Sequence, residues 1–137
     1  MISHYARNDK NMEISKKKKA YKFGLAAEKF AVIFLRLKGY RIIAQRYKNP
    51  KGEIDILAVK GKTLAIIEVK ARKNFSDCAY SIPYWKQKKI LGAVEWLMAG
   101  GGKIAGLAGA SERIIRFDAI LIVPRKLPRH LKDAWRM

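Results

Sequence analysis

Cysteine is nearly absent from this sequence: Cys78 is the only one in 137 residues. A single thiol cannot form an internal disulfide or a cysteine-rich zinc centre. Its scarcity fits a reducing compartment, so a cytoplasmic location is expected, with Cys78 an incidental thiol. Long hydrophobic runs are missing as well. None approaches the ~18–20 apolar residues that span a bilayer, so no membrane partner is expected. The early lysines have no apolar stretch behind them, as a secretory signal would require. Acid is the third scarcity, with 11 Asp and Glu against 30 Lys and Arg, a formal charge of +19. Residues 1–23 hold 7 basic and 2 acidic side chains, so the rest of the chain still carries +14. Such a surface favours polyanions, of which nucleic acid is the commonest. The plainer reading is a soluble basic protein, such as one that sits on a ribosome.

The few acids are unevenly spread. Of the nine beyond residue 23, three (Glu53, Asp55 and Glu68) fall within residues 52–72. That stretch reads as two apolar strands joined by Gly61-Lys62, which suits a two-residue turn with glycine first. Pairing Lys60 with Thr63 puts Asp55 opposite Glu68 and Glu53 opposite Lys70. Opposed Cβ atoms in such a ladder are about 4.5–5.5 Å apart, and like charges there destabilise it. Two facing carboxylates in so lysine-rich a chain make most sense around a divalent cation. Alternation puts Lys70 on the same face as Glu68, beside the water of that cation. The layout is one of metal-assisted hydrolysis. A cluster of structural salt bridges, Glu53 with Lys70 and the other acids with nearby arginines, is the competing explanation.

Asp55 followed by Glu68-Val69-Lys70 resembles the PD-(D/E)xK signature of restriction-endonuclease-like nucleases, with Ile54 in place of the proline. The wider pattern resembles the YraN family of small nuclease-like proteins. It comprises Gly24-Leu25-Ala26-Ala27-Glu28, Gly52-Glu53-Ile54-Asp55, Glu68-Val69-Lys70-Ala71-Arg72, Lys86-Gln87 and Arg116-Phe117-Asp118. The resemblance implies an α/β fold with a restriction-endonuclease-like core, a central mixed sheet flanked by helices. It implies hydrolysis of phosphodiester bonds, with DNA rather than RNA the expected substrate and branched or structured sites one option for it. Mg2+ or Mn2+ would be held by Asp55, Glu68 and the Val69 carbonyl. Lys70 would position the water, Glu28 would supply a further acid, and Gln87 would orient phosphate or water. Arg46, Lys51, Arg72, Lys86 and Lys88 are the candidate nucleic-acid contacts. A binding module without turnover on the same fold is the alternative. Symmetric cleavage would favour a homodimer, although no dimer seam is visible.

The rest of the chain frames this centre. Residues 1–23 read as a basic, disordered tail, serving as a nucleic-acid arm or as solvated charge. Residues 24–124 form the domain, and 125–137 a second basic tail that could fold back. Residues 24–38 read as a helix with Phe30, Ile33, Phe34 and Leu37 toward the core. Glu28 lies on the edge of that stripe, where it also reads as an ordinary helix residue near the positive N-terminal end. A first strand spans 40–47. Gly52 serves a turn or a close approach by phosphate. Residues 73–80 form a polar loop. A second helix covers 81–99, with Ser81 as N-cap and Pro83 in the first turn; its residues 86–89 read equally as a solvated basic face. Residues 99–111 hold five glycines and read as a flexible loop. No strand feeds its glycine run and no Gly-Lys-Ser/Thr follows, which argues against a phosphate loop. The last strand covers 112–123. Asp118 within it reads as a partner for Arg116 or a loop rather than a metal ligand.

Overall fold

The computed structural model describes residues 2–78 and 82–136. The elements run α1 (Ile2–Leu37), β1 (Arg41–Asn49), β2 (Gly52–Lys60), β3 (Thr63–Ala71), a 3-10 turn (Phe75–Cys78), α2 (Tyr84–Met98), α3 (Gly102–Ala108), β4 (Ile114–Ile122) and β5 (Arg129–Leu131). The five strands form one mixed sheet in the order β1-β2-β3-β4-β5, with β3 and β4 parallel and the other pairs antiparallel. The parallel pair needs a crossover, and α2 and α3 supply it. No single helix among the described residues is long and apolar enough to cross a membrane.

Alternation along β2 and β3 sends side chains to two cores. Leu57, Val59, Leu64 and Ile66 meet Ile90, Ala93, Val94 and Leu97 of α2 on one face. Ile56, Ala58, Ala65 and Ile67 meet Ala27, Ala31, Val32 and Leu35 of α1 on the other. This is the expected α/β class, a central mixed sheet flanked by helices.

The structure corrects several local expectations. The first is the tail: residues 2–37 form one continuous helix. Lys, Met, Glu and Ala in its first half are good helix formers, and the turns from residue 7 to 22 are exposed. The second is the orientation of α1. Phe30, Ile33 and Leu37 are 61%, 54% and 82% exposed, while Ala27, Ala31 and Leu35 are buried. The helix turns its small residues inward: Ala27 and Ala31 share a core with Ala58 and Ala65, all essentially inaccessible to solvent. The third is the glycine-rich stretch, which contains α3. Ile104 and Ala108 lie one turn apart and pack on the α2 core, and Gly109 ends the helix in the left-handed conformation at φ 56°. Finally, α2 begins at Tyr84 with Pro83 as its N-cap. The expected cap, Ser81, lies outside the described residues, as do Ala79 and Tyr80 of the expected loop.

Residues 125–136 fold back. β5 pairs with β4, the Ala134 amide donates to the Phe117 carbonyl at 2.7 Å, and Trp135 packs on Phe117 with ring centroids 4.3 Å apart. A buried polar network holds the segment down. Asp118 is fully buried. Arg116 donates to both its oxygens, at 2.8 and 2.7 Å. The Asp133 amide adds a third bond at 3.0 Å, and His130 Nε2 lies 2.8 Å away. On its other side His130 Nδ1 is 2.6 Å from Lys38 Nζ. An ammonium can only donate, so Nδ1 accepts and the ring proton sits on Nε2, facing Asp118. Asp118 is therefore a structural pin.

Candidate functional site

The hairpin has the register expected of it. Lys60 pairs with Thr63, and the ladder continues through Leu57↔Ile66 to Ile56↔Ile67. Gly61 takes φ 59°, the left-handed conformation that the turn requires of its first residue. Beyond Ile56 and Ile67 the two strands part company. β2 stays paired with β1 as far as Asn49↔Gly52, and β3 stays paired with β4 as far as Ala71↔Ile122. Asp55 and Glu68 are the first residues past the split.

The Asp55 carboxylate spans the opening, accepting the Val69 amide proton at Oδ2 over 2.9 Å. Glu53 faces Lys48 of β1 in the register, not Lys70 as the extended hairpin predicts. Between the parted strands lies a cavity of about 60 Å³, bordered by Glu53, Ile54, Asp55, Ile66, Ile67 and Glu68. α2 closes it with Lys86, Lys89 and Ile90, and Trp135 adds a wall from the C-terminal segment.

The position of α2 depends on two glycines. A Cβ on Gly52 would lie 1.7 Å from the Lys89 carbonyl oxygen, and one on Gly92 would lie 2.3 Å from the Lys51 carbonyl oxygen. Gly52 thus serves a close approach by helix backbone. That contact brings Lys86 to Glu68, with Nζ 2.7 Å from Oε1. Glu68 is only 7% exposed, and its other oxygen, Oε2, is buried without a hydrogen-bond partner among the described residues. An unsatisfied buried carboxylate oxygen is costly.

The electrostatics match that geometry. Burial pushes the Asp55 carboxyl above its ordinary value; the Val69 amide and the Lys86 charge draw it down, and Glu68 and Glu28 push it further up. Glu68, Lys86 and Glu28 are thus each within electrostatic reach of Asp55. On the other side of Asp55 a basin of about 340 Å³ is lined by Tyr21, Glu28, Arg46 and Lys48. There Arg46 Nε donates to Glu28 Oε2 at 2.8 Å, from a backbone at φ 49°.

The remaining candidates are more dispersed. Lys70 is half-buried beside Leu121 of β4 and is not among the described residues lining the cavity. Gln87 donates its amide to the Ile82 carbonyl at 2.9 Å, at the start of α2. Arg72 lines a shallow basin shared with Glu28 and Val69, its guanidinium bonded to the Ala71 carbonyl. Lys51 is exposed in the β1–β2 turn, and Lys88 covers the Tyr84 ring. Sequence reasoning missed Lys89, Ile90 and Trp135. For Trp135 no local signal existed, since only the folding back of the tail brings it here.

Among the described residues no group of three or more His, Cys, Asp or Glu converges as a metal cluster. The donors that border the cavity are two carboxylates, Asp55 and Glu68, beside Glu53. That set suits Mg2+, which commonly takes one or two carboxylates and completes its shell with water and substrate phosphate. The unpartnered Glu68 oxygen and the raised Asp55 carboxyl are features that a divalent cation would fit, and Lys86 brings one positive charge to the same place.

Fold and site together define an α/β domain whose sheet splits around two acids, buried Glu68 and half-buried Asp55, under a basic helix. The chain belongs to the uncharacterised protein family UPF0102, which matches residues 27–122 and is the YraN family that the motifs resemble. The UPF0102 protein of Parvibaculum lavamentivorans is 45% identical over 117 residues, covering 85% of this chain and 84% of the relative. That of Nitrobacter winogradskyi is 44% identical, covering 85% and 93%. A third, from a Bradyrhizobium species, is 44% identical, covering 85% and 78%.

Proposed function

We propose that this protein is a metal-dependent endonuclease that hydrolyses phosphodiester bonds in DNA, with branched or structured DNA as its preferred substrate. The observation that carries the reading is the buried Glu68 carboxylate, with one oxygen unpartnered, sharing a cavity with Asp55 in a chain rich in cations. Mg2+ or Mn2+ held by Asp55, Glu68 and the Val69 carbonyl would acidify a water and neutralise phosphate charge. Lys86 and Lys89 supply cationic donors to the phosphate from the helix side. Arg46 and Arg72 extend the positive rim on the side of α1. Lys70, two residues after Glu68 on β3 but outside the cavity lining, keeps its water-orienting role only by its place in the motif, and Glu28 tunes Asp55 through its charge.

A non-catalytic nucleic-acid clamp is the second reading, and the Lys86–Glu68 ion pair favours it by partly neutralising the site without metal. The two are separated by incubating linear, flapped and four-way DNA with Mn2+ and the wild type or Asp55→Ala. Cleavage by the wild type alone supports the nuclease. Binding with no cleavage by either protein supports the clamp.

A further inference from the structure

The first turn of α2 carries two adjacent aromatic side chains that the core does not use. Tyr84 is 71% and Trp85 60% exposed, whereas the buried residues of this helix are Ile90, Ala93, Val94 and Leu97. Each ring has a lysine one turn further along: Lys88 Nζ lies 4.8 Å from the Tyr84 centroid and Lys89 Nζ 5.5 Å from that of Trp85. A cation covers only one face of a ring. The first two turns reach the candidate site directly, because Lys86 bonds to Glu68 and Lys89 lines the cavity.

From this geometry we infer that Tyr84 and Trp85 form a base-stacking platform that seats unpaired nucleotides of a DNA strand beside the acid pair. The inference rests on the nucleic-acid reading above and gives it a substrate class: single-stranded DNA, or the single-stranded part of a larger structure. Exposed aromatics interleaved with cations are what such a strand needs, since each base offers a π-face and each phosphate a charge. Bases in a duplex are stacked on one another and cannot reach these rings. A duplex would use the lysines alone, by phosphate contact without stacking. The platform therefore selects unpaired over paired strands, and it does so next to the carboxylates rather than at a remote surface.

The test uses the full-length protein in EDTA, which prevents metal-dependent cleavage. A fluorescently labelled oligothymidine and a labelled duplex of equal length are titrated separately, read by anisotropy, against wild type, Trp85→Ala, Tyr84→Ala and the conservative Trp85→Phe. Stacking on one aromatic gives roughly 10-fold in affinity. The expected result is a loss of about that size for the single strand in Trp85→Ala and Tyr84→Ala, near wild-type affinity in Trp85→Phe, and little change for the duplex in any variant. Oligothymidine should also quench the tryptophan emission of the wild type, and by less in Trp85→Phe. Melting curves establish that the variants are folded. Equal losses for both DNAs, or no loss for the single strand, overturn the platform while leaving metal-dependent cleavage to be judged separately. Failure of the wild type to bind either DNA overturns the platform and the nucleic-acid reading together.

Discussion

Gly52 of β2 sits directly beneath the Lys89 carbonyl of α2, so closely that a methyl group on Gly52 would lie 1.7 Å from that oxygen. This contact sets the height of α2 above the cavity and so holds Lys86 on Glu68. Neither Gly52 nor the Lys89 main chain takes part in chemistry, yet the site depends on their approach.

Gly52→Ala should therefore act on site and stability together. The helix must shift, because the obstacle is backbone rather than a flexible side chain. Overpacking of this kind costs about 1–3 kcal/mol, readable as a lower denaturant midpoint. Lys86 should separate from Glu68, and Mn2+-dependent cleavage should fall more than stability alone explains. Unchanged stability would mean that the helix is not seated on this glycine.

Asp55→Asn should stabilise the protein at neutral pH. The folded-state carboxyl lies above its ordinary value of 3.8, mainly through burial. The favourable contribution of the protonated form is complete below the unfolded value and is lost as pH rises through the folded one, so at pH 7 ionised Asp55 is a net cost. Asparagine keeps an acceptor for the Val69 amide and sheds the charge facing Glu68. A gain of about 0.5–2 kcal/mol is expected, seen as a higher melting temperature at pH 7 and shrinking toward acid pH. A fall in stability would indicate that Asp55 is already well neutralised.

Asp118 should behave in the opposite sense. Burial pushes its carboxyl up, but bonds from His130, Arg116 and the Asp133 amide outweigh this and hold it below the ordinary 3.8. Its stabilisation is complete above the unfolded value and is lost as pH falls through the lowered folded one. Asp118→Asn leaves Arg116 and His130 without their anion, and breaking such a buried pair costs about 3–5 kcal/mol. Melting at pH 7 should show the loss, and the variant should lack the part of the acid transition that Asp118 supplies. Because this network pins the segment bearing Trp135, the cavity should also become more open to solvent.

The parts of this design visible in the sequence were the local ones. The hairpin register followed from a short turn and a period of two as far as Ile56 and Ile67; Asp55 and Glu68 border one cavity without forming the ladder pair expected of them. The faces of α1 could not be read from residues alone. Phe30, Ile33 and Leu37 form a helical stripe as regular as Ala27, Ala31 and Leu35, and which stripe goes inward is decided by the sheet residues it shares a core with, among them Ala58, Ala65 and Ile67. The splitting of β2 from β3 was hidden because it depends on the outer partners β1 and β4. The Lys86–Glu68 pair and the seat of Trp135 likewise arise from packing between segments far apart in sequence. α3 was masked by its glycines, two of which, Gly101 and Gly109, lie at its ends.

The central claim is that Asp55 and Glu68 share a divalent cation. Isothermal titration of Mn2+ into wild type and Asp55→Ala, each with melting curves taken with and without the metal, tests it most directly. The predicted result is saturable binding by the wild type with a metal-induced rise in melting temperature, and loss of both in Asp55→Ala. Absence of binding in the wild type, or equal binding by the two proteins, would contradict it.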